Sequence, residues 1–161
     1  MSTEENFVIR PAQENDLYSV NAVIESCVMG WDLPDRVKRL SLSSYLYHPH
    51  DLDHFEIVLA EMSGGEIAGV AAWEPATISD LPKDKSGMLL HGLYVAPHHQ
   101  HHGIGSSLIN TALGTVRTQK MDGLLVKAQA DAVVFFQSQG FINLTIENDK
   151  RDYPYRLWRL T

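Results

Sequence analysis

Residues 88–108 constrain the fold more than any other stretch. They read Met-Leu-Leu-His-Gly-Leu-Tyr-Val-Ala-Pro-His-His-Gln-His-His-Gly-Ile-Gly-Ser-Ser-Leu. Residues 88–95 are apolar and end in β formers, which predicts a buried strand. Ala96-Pro97 stops it, because proline cannot donate to a sheet ladder. Residues 100–105 form a short glycine-bearing loop. From Ile104 onward the apolar positions fall at helical spacing: Ile104, Leu108, Ile109, Ala112, Leu113 and Val116. The pattern is a strand, a glycine turn and a helix N-terminus.

Such a turn suits an anion. The first amides of a helix have no intrahelical acceptor, and the helix dipole is positive at that end. Gly103 and Gly105 leave the backbone accessible to a phosphate, and Ser106 and Ser107 add hydroxyl donors. The same turn can also exist as plain αβ punctuation that binds nothing. The dinucleotide fingerprint needs a third glycine here, and the Walker loop needs a following Gly-Lys-Ser/Thr; neither is present.

The wording Gln100-x-x-Gly103-x-Gly105, after Val95-x-Pro97, resembles the acetyl-CoA signature of the GNAT N-acetyltransferase superfamily, (Arg/Gln)-x-x-Gly-x-(Gly/Ala). Two further stretches carry the resemblance. Residues 9–16 read Ile-Arg-Pro-Ala-x-x-x-Asp, like the opening of many members. Gln129-x-x-Ala132-x-x-Phe135-Phe136-x-x-x-Gly140-Phe141 is similar to the family's Asn-x-x-Ala-x-x-Phe-Tyr-x-x-x-Gly-Phe. The likeness extends over residues 9–160 and is weakest over 31–54, where members set acceptor specificity.

Along the chain, residues 7–10 form a short strand ended by Pro11, and 12–16 start a helix. Leu17, Val20, Asn21, Val23, Ile24 and Val28 give one amphipathic helix that closes near Gly30. Residues 35–47 give a second helix, with Val37, Leu40, Leu42, Tyr45 and Leu46 as its apolar positions; 48–54 are a polar connector. Residues 55–61 and 66–73 are hairpin strands about Ser63-Gly64-Gly65, and 75–87 are a loop. After the long helix come a strand at 124–127, a short helix at 131–139, and an antiparallel pair at 141–146 and 153–160. The order β-α-α-β-β-β-α-β-α-β-β is an α/β fold. The resemblance makes it one GNAT-like domain over 1–161, a mixed, mostly antiparallel sheet flanked by helices.

The 161 residues suffice for one domain with a real core. The net charge of −7 argues against nucleic acid as the main partner and suits a cationic amine. Residues 1–6 are polar and acidic, unlike a signal peptide, and no apolar run is long enough to cross a bilayer. The expectation is a cytoplasmic monomer or homodimer with no membrane partner. Cys27, the single cysteine, cannot form an internal disulfide.

Acetyl transfer to an amine requires a held donor, a neutral amine and a stabilised oxyanion. The resemblance implies acetyl-CoA as donor. Its pyrophosphate would rest on Gln100, His101, His102, Gly103, Ile104, Gly105 and Ser106. Its pantetheine arm would lie along Leu93, Tyr94 and Val95, with Gln129 and Phe136 as further contacts. The implied reaction is direct transfer to a primary amine of a small molecule or protein. Cys27 then need not be a nucleophile and reads as a small buried hydrophobe.

Strand alternation places Leu89, His91, Leu93 and Val95 on one face, and His91 is the titratable side chain among them. Its position resembles that of the strand histidine used as base by serotonin N-acetyltransferases; the other reading is a core histidine. Glu61, Glu74 and Asp32 are alternative bases acting through water. Many members carry tyrosine as the thiolate's acid where this chain has Phe136; Tyr94 or Tyr45 is a substitute acid here. Phe136 also leaves room for a non-catalytic acetyl-CoA sensor or regulatory domain, and an unrelated nucleotide-phosphate binder is a third class. His98, His99, His101 and His102, with His48, His50 and His54, invite a metal reading. The expectation is instead no metal, with these loop histidines facing solvent or phosphate. Trp31, Tyr45, Tyr47 and Trp73 line an acceptor pocket or belong to the core. Lys83 and Lys85 are assigned no role.

Overall fold

A computed structural model describes residues 6–150 and 152–161. The acidic residues 1–5, part of the signal-peptide reading, lie outside the described residues. The elements are β1 (Phe7–Pro11), α1 (Leu17–Met29), α2 (Asp35–Tyr45), β2 (Glu56–Met62), β3 (Ile67–Pro75), β4 (Gly87–Val95), α3 (Ile104–Thr118), β5 (Gly123–Lys127), α4 (Val133–Ser138), β6 (Ile142–Asn143) and β7 (Arg156–Leu160). Their order is the expected one. The strands form one sheet in the order β1-β2-β3-β4-β5-β7-β6. β4 and β5 run parallel, while β1/β2, β5/β7 and β6/β7 are antiparallel.

Two compact units make up the chain. The first comprises Met1–Ala72 and Gly92–Ile109, the second Trp73–His91 and Asn110–Thr161.

In the first unit, Leu17, Val20, Ile24 and Val28 recur at intervals of three and four, so α1 buries one stripe. That stripe packs with Tyr47, Ile57, Leu59, Val70 and Ala72. Arg10 fixes where the helix begins. Its guanidinium donates to both Asp16 carboxylate oxygens at 2.8 and 2.9 Å, and its Nε donates to Glu61 at 2.9 Å. These bonds hold the Asp16 carboxyl below its ordinary value. Lys38 Nζ donates to the Met29 carbonyl at 2.8 Å, a cation satisfying the C-terminus of α1.

α2 differs from its expected form in two ways. Val37 and Leu40 are exposed, whereas Leu42 and Tyr45 pack against the core cluster. The helix has one inward face, and Val37 and Leu40 are not on it. It also ends at Tyr45 rather than 47, because Asn21 captures the next backbone segment. The Asn21 amide donates to the Tyr47 carbonyl at 2.8 Å, and the Tyr47 N–H donates back at 2.9 Å. That pairing imitates a ladder rung and favours extended backbone at Leu46, with φ −74° and ψ 146°.

In the second unit, Leu124, Leu125 and Val126 are buried, as a near-continuous apolar strand demands. Trp158 lies over two glycines. A Cβ on Gly123 would stand 2.6 Å from the Trp158 ring, and one on Gly87 would stand 2.8 Å from it. We therefore expect Gly123→Ala to lower the unfolding free energy by at least about 2 kcal/mol, an overpacking cost, measured by urea denaturation.

The penultimate strand is a correction: β6 has two residues, not the six expected at 141–146. The Asp152 carboxylate accepts the N–H groups of Glu147 and Asn148 at 3.0 and 3.1 Å, turning the chain away from the ladder. Arg156 donates to the carbonyls of Asp80 at 2.9 Å and Thr145 at 3.3 Å, anchoring this turn from within.

Candidate active site

The organising loop lies in the first unit. β4 ends where Ala96 N–H donates to the Ala68 carbonyl at 2.8 Å. Pro97–His99 makes one 3-10 turn, and His99 N–H closes it onto Ala96 at 2.8 Å. The Val95 carbonyl accepts the Cys27 thiol at 3.1 Å and the Gln100 side-chain amide at 3.1 Å. The distant Cys27 and the nearby Gln100 thus both hold the last residue of the strand.

The loop then reverses through His101 at φ 67° and Gly103 at φ 84°. A Cβ on Gly103 would meet nothing within 4 Å, so the space over it is open. Ser107 N–H donates to the Gly103 carbonyl at 3.1 Å and starts the helical ladder. Helix geometry therefore leaves the amides of Ile104, Gly105 and Ser106 without an intrahelical acceptor. Ile104 is buried, Gly105 and Ser106 are half-buried, and Gln100, His101, His102 and Gly103 are exposed.

Gly69 in β3 sets the position of that helix start. A Cβ there would lie 3.0 Å from Ile104, 3.1 Å from the Tyr94 carbonyl and 3.2 Å from Leu108. The missing side chain lets α3 settle on the sheet with its N-terminus beside the end of β4. The result is a backbone turn at a helix N-terminus, the geometry that suits an anion.

Leu93, Tyr94 and Val95 are half-buried. Burial, reinforced by Tyr45 and Cys27, pushes the Tyr94 phenol up, so it keeps its proton near neutrality. Burial also pushes the Cys27 thiol up to about 11, against hydrogen bonds to Ser26 and Val95. A thiol held protonated and bonded to a carbonyl is a poor nucleophile. Gly92 admits its neighbours closely: a Cβ there would stand 2.7 Å from the Tyr47 hydroxyl and 2.8 Å from the Tyr94 ring. Tyr47 and Trp73 are core residues, while Trp31 and Tyr45 are partly buried and meet edge to face at 5.2 Å. Of the four proposed pocket aromatics, only this last pair has surface to offer a ligand.

His91, Gln129 and Phe136 belong to the second unit. His91 is exposed, which rules out the core-histidine reading. Gln129 is exposed ahead of the 3-10 turn Ala130–Ala132. Phe136 is buried between Phe135 and Phe141, at ring distances of 5.2 and 5.4 Å. Among the alternative bases, Glu61 is held by Arg10, Glu74 is half-buried and Asp32 is exposed.

The histidine tract departs from expectation at one position. His98, His101 and His102 are exposed, but His99 is buried. Both His98 and His99 turn to Glu66, whose carboxyl they hold below its ordinary value. His48 and His50 stack on each other at 5.8 Å instead. Sequence spacing gave no sign of Glu66, nor of Cys27 and Gln100 sharing one carbonyl, because these contacts are made by the fold.

Comparison with known proteins narrows the reading. A family model described as an acetyltransferase (GNAT) domain matches residues 37–154. No curated protein matches the chain. Solved structures with the same fold include the PaiA N-acetyltransferase from Thermoplasma acidophilum in complex with coenzyme A, at TM-score 0.74 and 12% identity over 97% of this chain and 99% of that one. A GNAT family acetyltransferase from Brucella melitensis in complex with acetyl-CoA follows at 0.64 and 19%, over 92% and 94%. AtaT complexed with acetyl-methionyl-tRNAfMet follows at 0.66 and 18%, over 97% and 95%. At these identities the likeness is one of fold. Among the described residues, no helix is long and apolar enough to cross a membrane.

Proposed function

The chain belongs to the GNAT family of acetyltransferases, with acetyl-CoA as donor, and from that premise we propose that it acetylates a primary amine by direct attack. The observation that supports this most is the backbone cradle: Gly103 at φ 84° with open space above it, followed by the N-terminus of α3. The amides of residues 101–106 hold the pyrophosphate of the donor. Its pantetheine arm pairs with Leu93, Tyr94 and Val95, and a backbone N–H near Leu93 or Tyr94 polarises the thioester carbonyl. Gln129 and Phe136 are assigned to the cofactor on the motif match alone.

In the reaction, the amine nitrogen attacks the thioester carbon and the carbon–sulfur bond breaks. An acetamide and CoA thiolate result. His91 takes the ammonium proton, since an alkylamine must be neutral to attack. Phe136 has no proton to give the thiolate. Burial raises the Tyr94 phenol, so it holds its proton more tightly than an ordinary tyrosine, and water or the Tyr45 hydroxyl is the substitute acid. A thiol leaves tolerably even unprotonated, because its ordinary pKa is near 8.5. Phe136→Tyr should therefore raise kcat by at most about tenfold, or roughly 1.4 kcal/mol, and leave CoA affinity unchanged.

The acceptor we favour is a small cationic amine, in keeping with the net charge of −7. The AtaT complex with an acetylated aminoacyl-tRNA is the reason to test a nucleic-acid-borne amine beside it. Phe136 supports a second reading, an acetyl-CoA sensor without turnover. Thiol release from acetyl-CoA, measured over small amines, peptides and aminoacyl-tRNA, separates these. Amine-dependent release supports the enzyme. Binding without release from any acceptor, combined with a Phe136→Tyr variant that gains turnover by orders of magnitude, would make the chain a sensor.

A further inference from the structure

The turn that precedes the cradle carries a ligand set that acetyl transfer does not use. Glu66 stands just after the β2–β3 turn, and His98 and His99 lie in the 3-10 turn Pro97–His99. His98 Nε2 is 2.9 Å from one Glu66 carboxylate oxygen, and His99 Nε2 is 3.3 Å from the other. One ligand atom from each of the three residues lies within 4.8 Å of the others. The two rings are 4.2 Å apart and tilted by 44°, so both Nε2 edges address one carboxylate. All three residues belong to the first unit.

We propose that Glu66, His98 and His99 form a binding site for a divalent transition cation of the zinc type. Two imidazole nitrogens and one carboxylate oxygen are a donor set that zinc accepts, with a fourth position left for water. Zinc bonds of about 2.0–2.2 Å in a tetrahedron space the ligand atoms roughly 3.4 Å apart. The three ligand atoms, all within 4.8 Å of one another, reach that spacing by small rotations of the exposed His98 and Glu66 side chains toward the buried His99. Burial of His99 fixes one ligand in place before any ion arrives, and the exposed His98 and Glu66 leave a path for entry. The ion would tie the start of β3 to the turn leading into Gln100 and His101, steadying the cradle from behind. The site departs from the metal-free expectation because the hairpin brings in Glu66, a residue remote in sequence from the histidines.

The test uses the full chain without an affinity tag, stripped by a chelator and titrated with zinc against a chromophoric competitor. We expect one zinc per chain. Glu66→Gln and His98→Gln should each weaken it by at least about tenfold, the low end for loss of a supporting group, and ligand loss costs more. His48→Ala should leave it unchanged. Circular dichroism checks that each variant is folded. Absence of one-to-one binding, binding that survives both substitutions, or binding lost instead with His48→Ala would overturn the assignment. None of these outcomes depends on whether the chain acetylates anything.

Discussion

Gly103→Asp should abolish CoA binding in a chain that remains folded. Two effects add. The carboxylate would enter the open space above residue 103, where the proposal puts the pyrophosphate, and repel it. It would also occupy the positive end of α3, the source of the anion's stabilisation. Loss of at least about 10²-fold in affinity, roughly 2.7 kcal/mol, is the expected calorimetric result. Gly103→Ala separates charge from backbone. It places a side chain at φ 84°, which costs roughly 1–2 kcal/mol of strain, but adds no charge. Its affinity should fall between wild type and Gly103→Asp. A folded Gly103→Asp variant with wild-type affinity would remove the phosphate from this loop.

His91→Ala should lower kcat/KM by roughly 10²-fold, the low end for loss of a general base. The histidine is exposed on β4, three residues before Tyr94, so solvent can carry its proton away. Tying of Glu61 to Arg10 leaves Glu74 and Asp32 as the remaining carboxylate candidates. Wild-type rates across the whole pH range would pass the role to one of them.

Local patterns were legible in the sequence, and contacts between distant segments were not. Ile104, Leu108, Ile109, Ala112, Leu113 and Val116 were read at helical spacing, and all six are buried in α3. The hairpin about Ser63-Gly64-Gly65 and the order of the eleven helices and strands follow from the same local signals. β6 falls short of the expected strand although its residues are good strand formers, because Asp152, only four and five residues on, takes the N–H groups of Asn148 and Glu147, and such side-chain capture of backbone leaves no mark in the apolar pattern. Val37 and Leu40 show that an apolar residue on a helix is not thereby a core residue. The cradle was readable because glycine and proline punctuate the chain locally. The partners around it, Gly69 in β3, Cys27 in α1 and Glu66 in the β2–β3 turn, lie elsewhere in the chain and leave no periodic trace.

Backbone amide NMR tests the central claim most directly, by following the chain during titration with CoA. Phosphate and pantetheine contacts made through the backbone should move amide resonances at those positions. The largest shifts are expected at residues 101–106 and 93–95, saturating together at one CoA per chain. Saturable shifts concentrated elsewhere, with residues 101–106 unmoved, would contradict it.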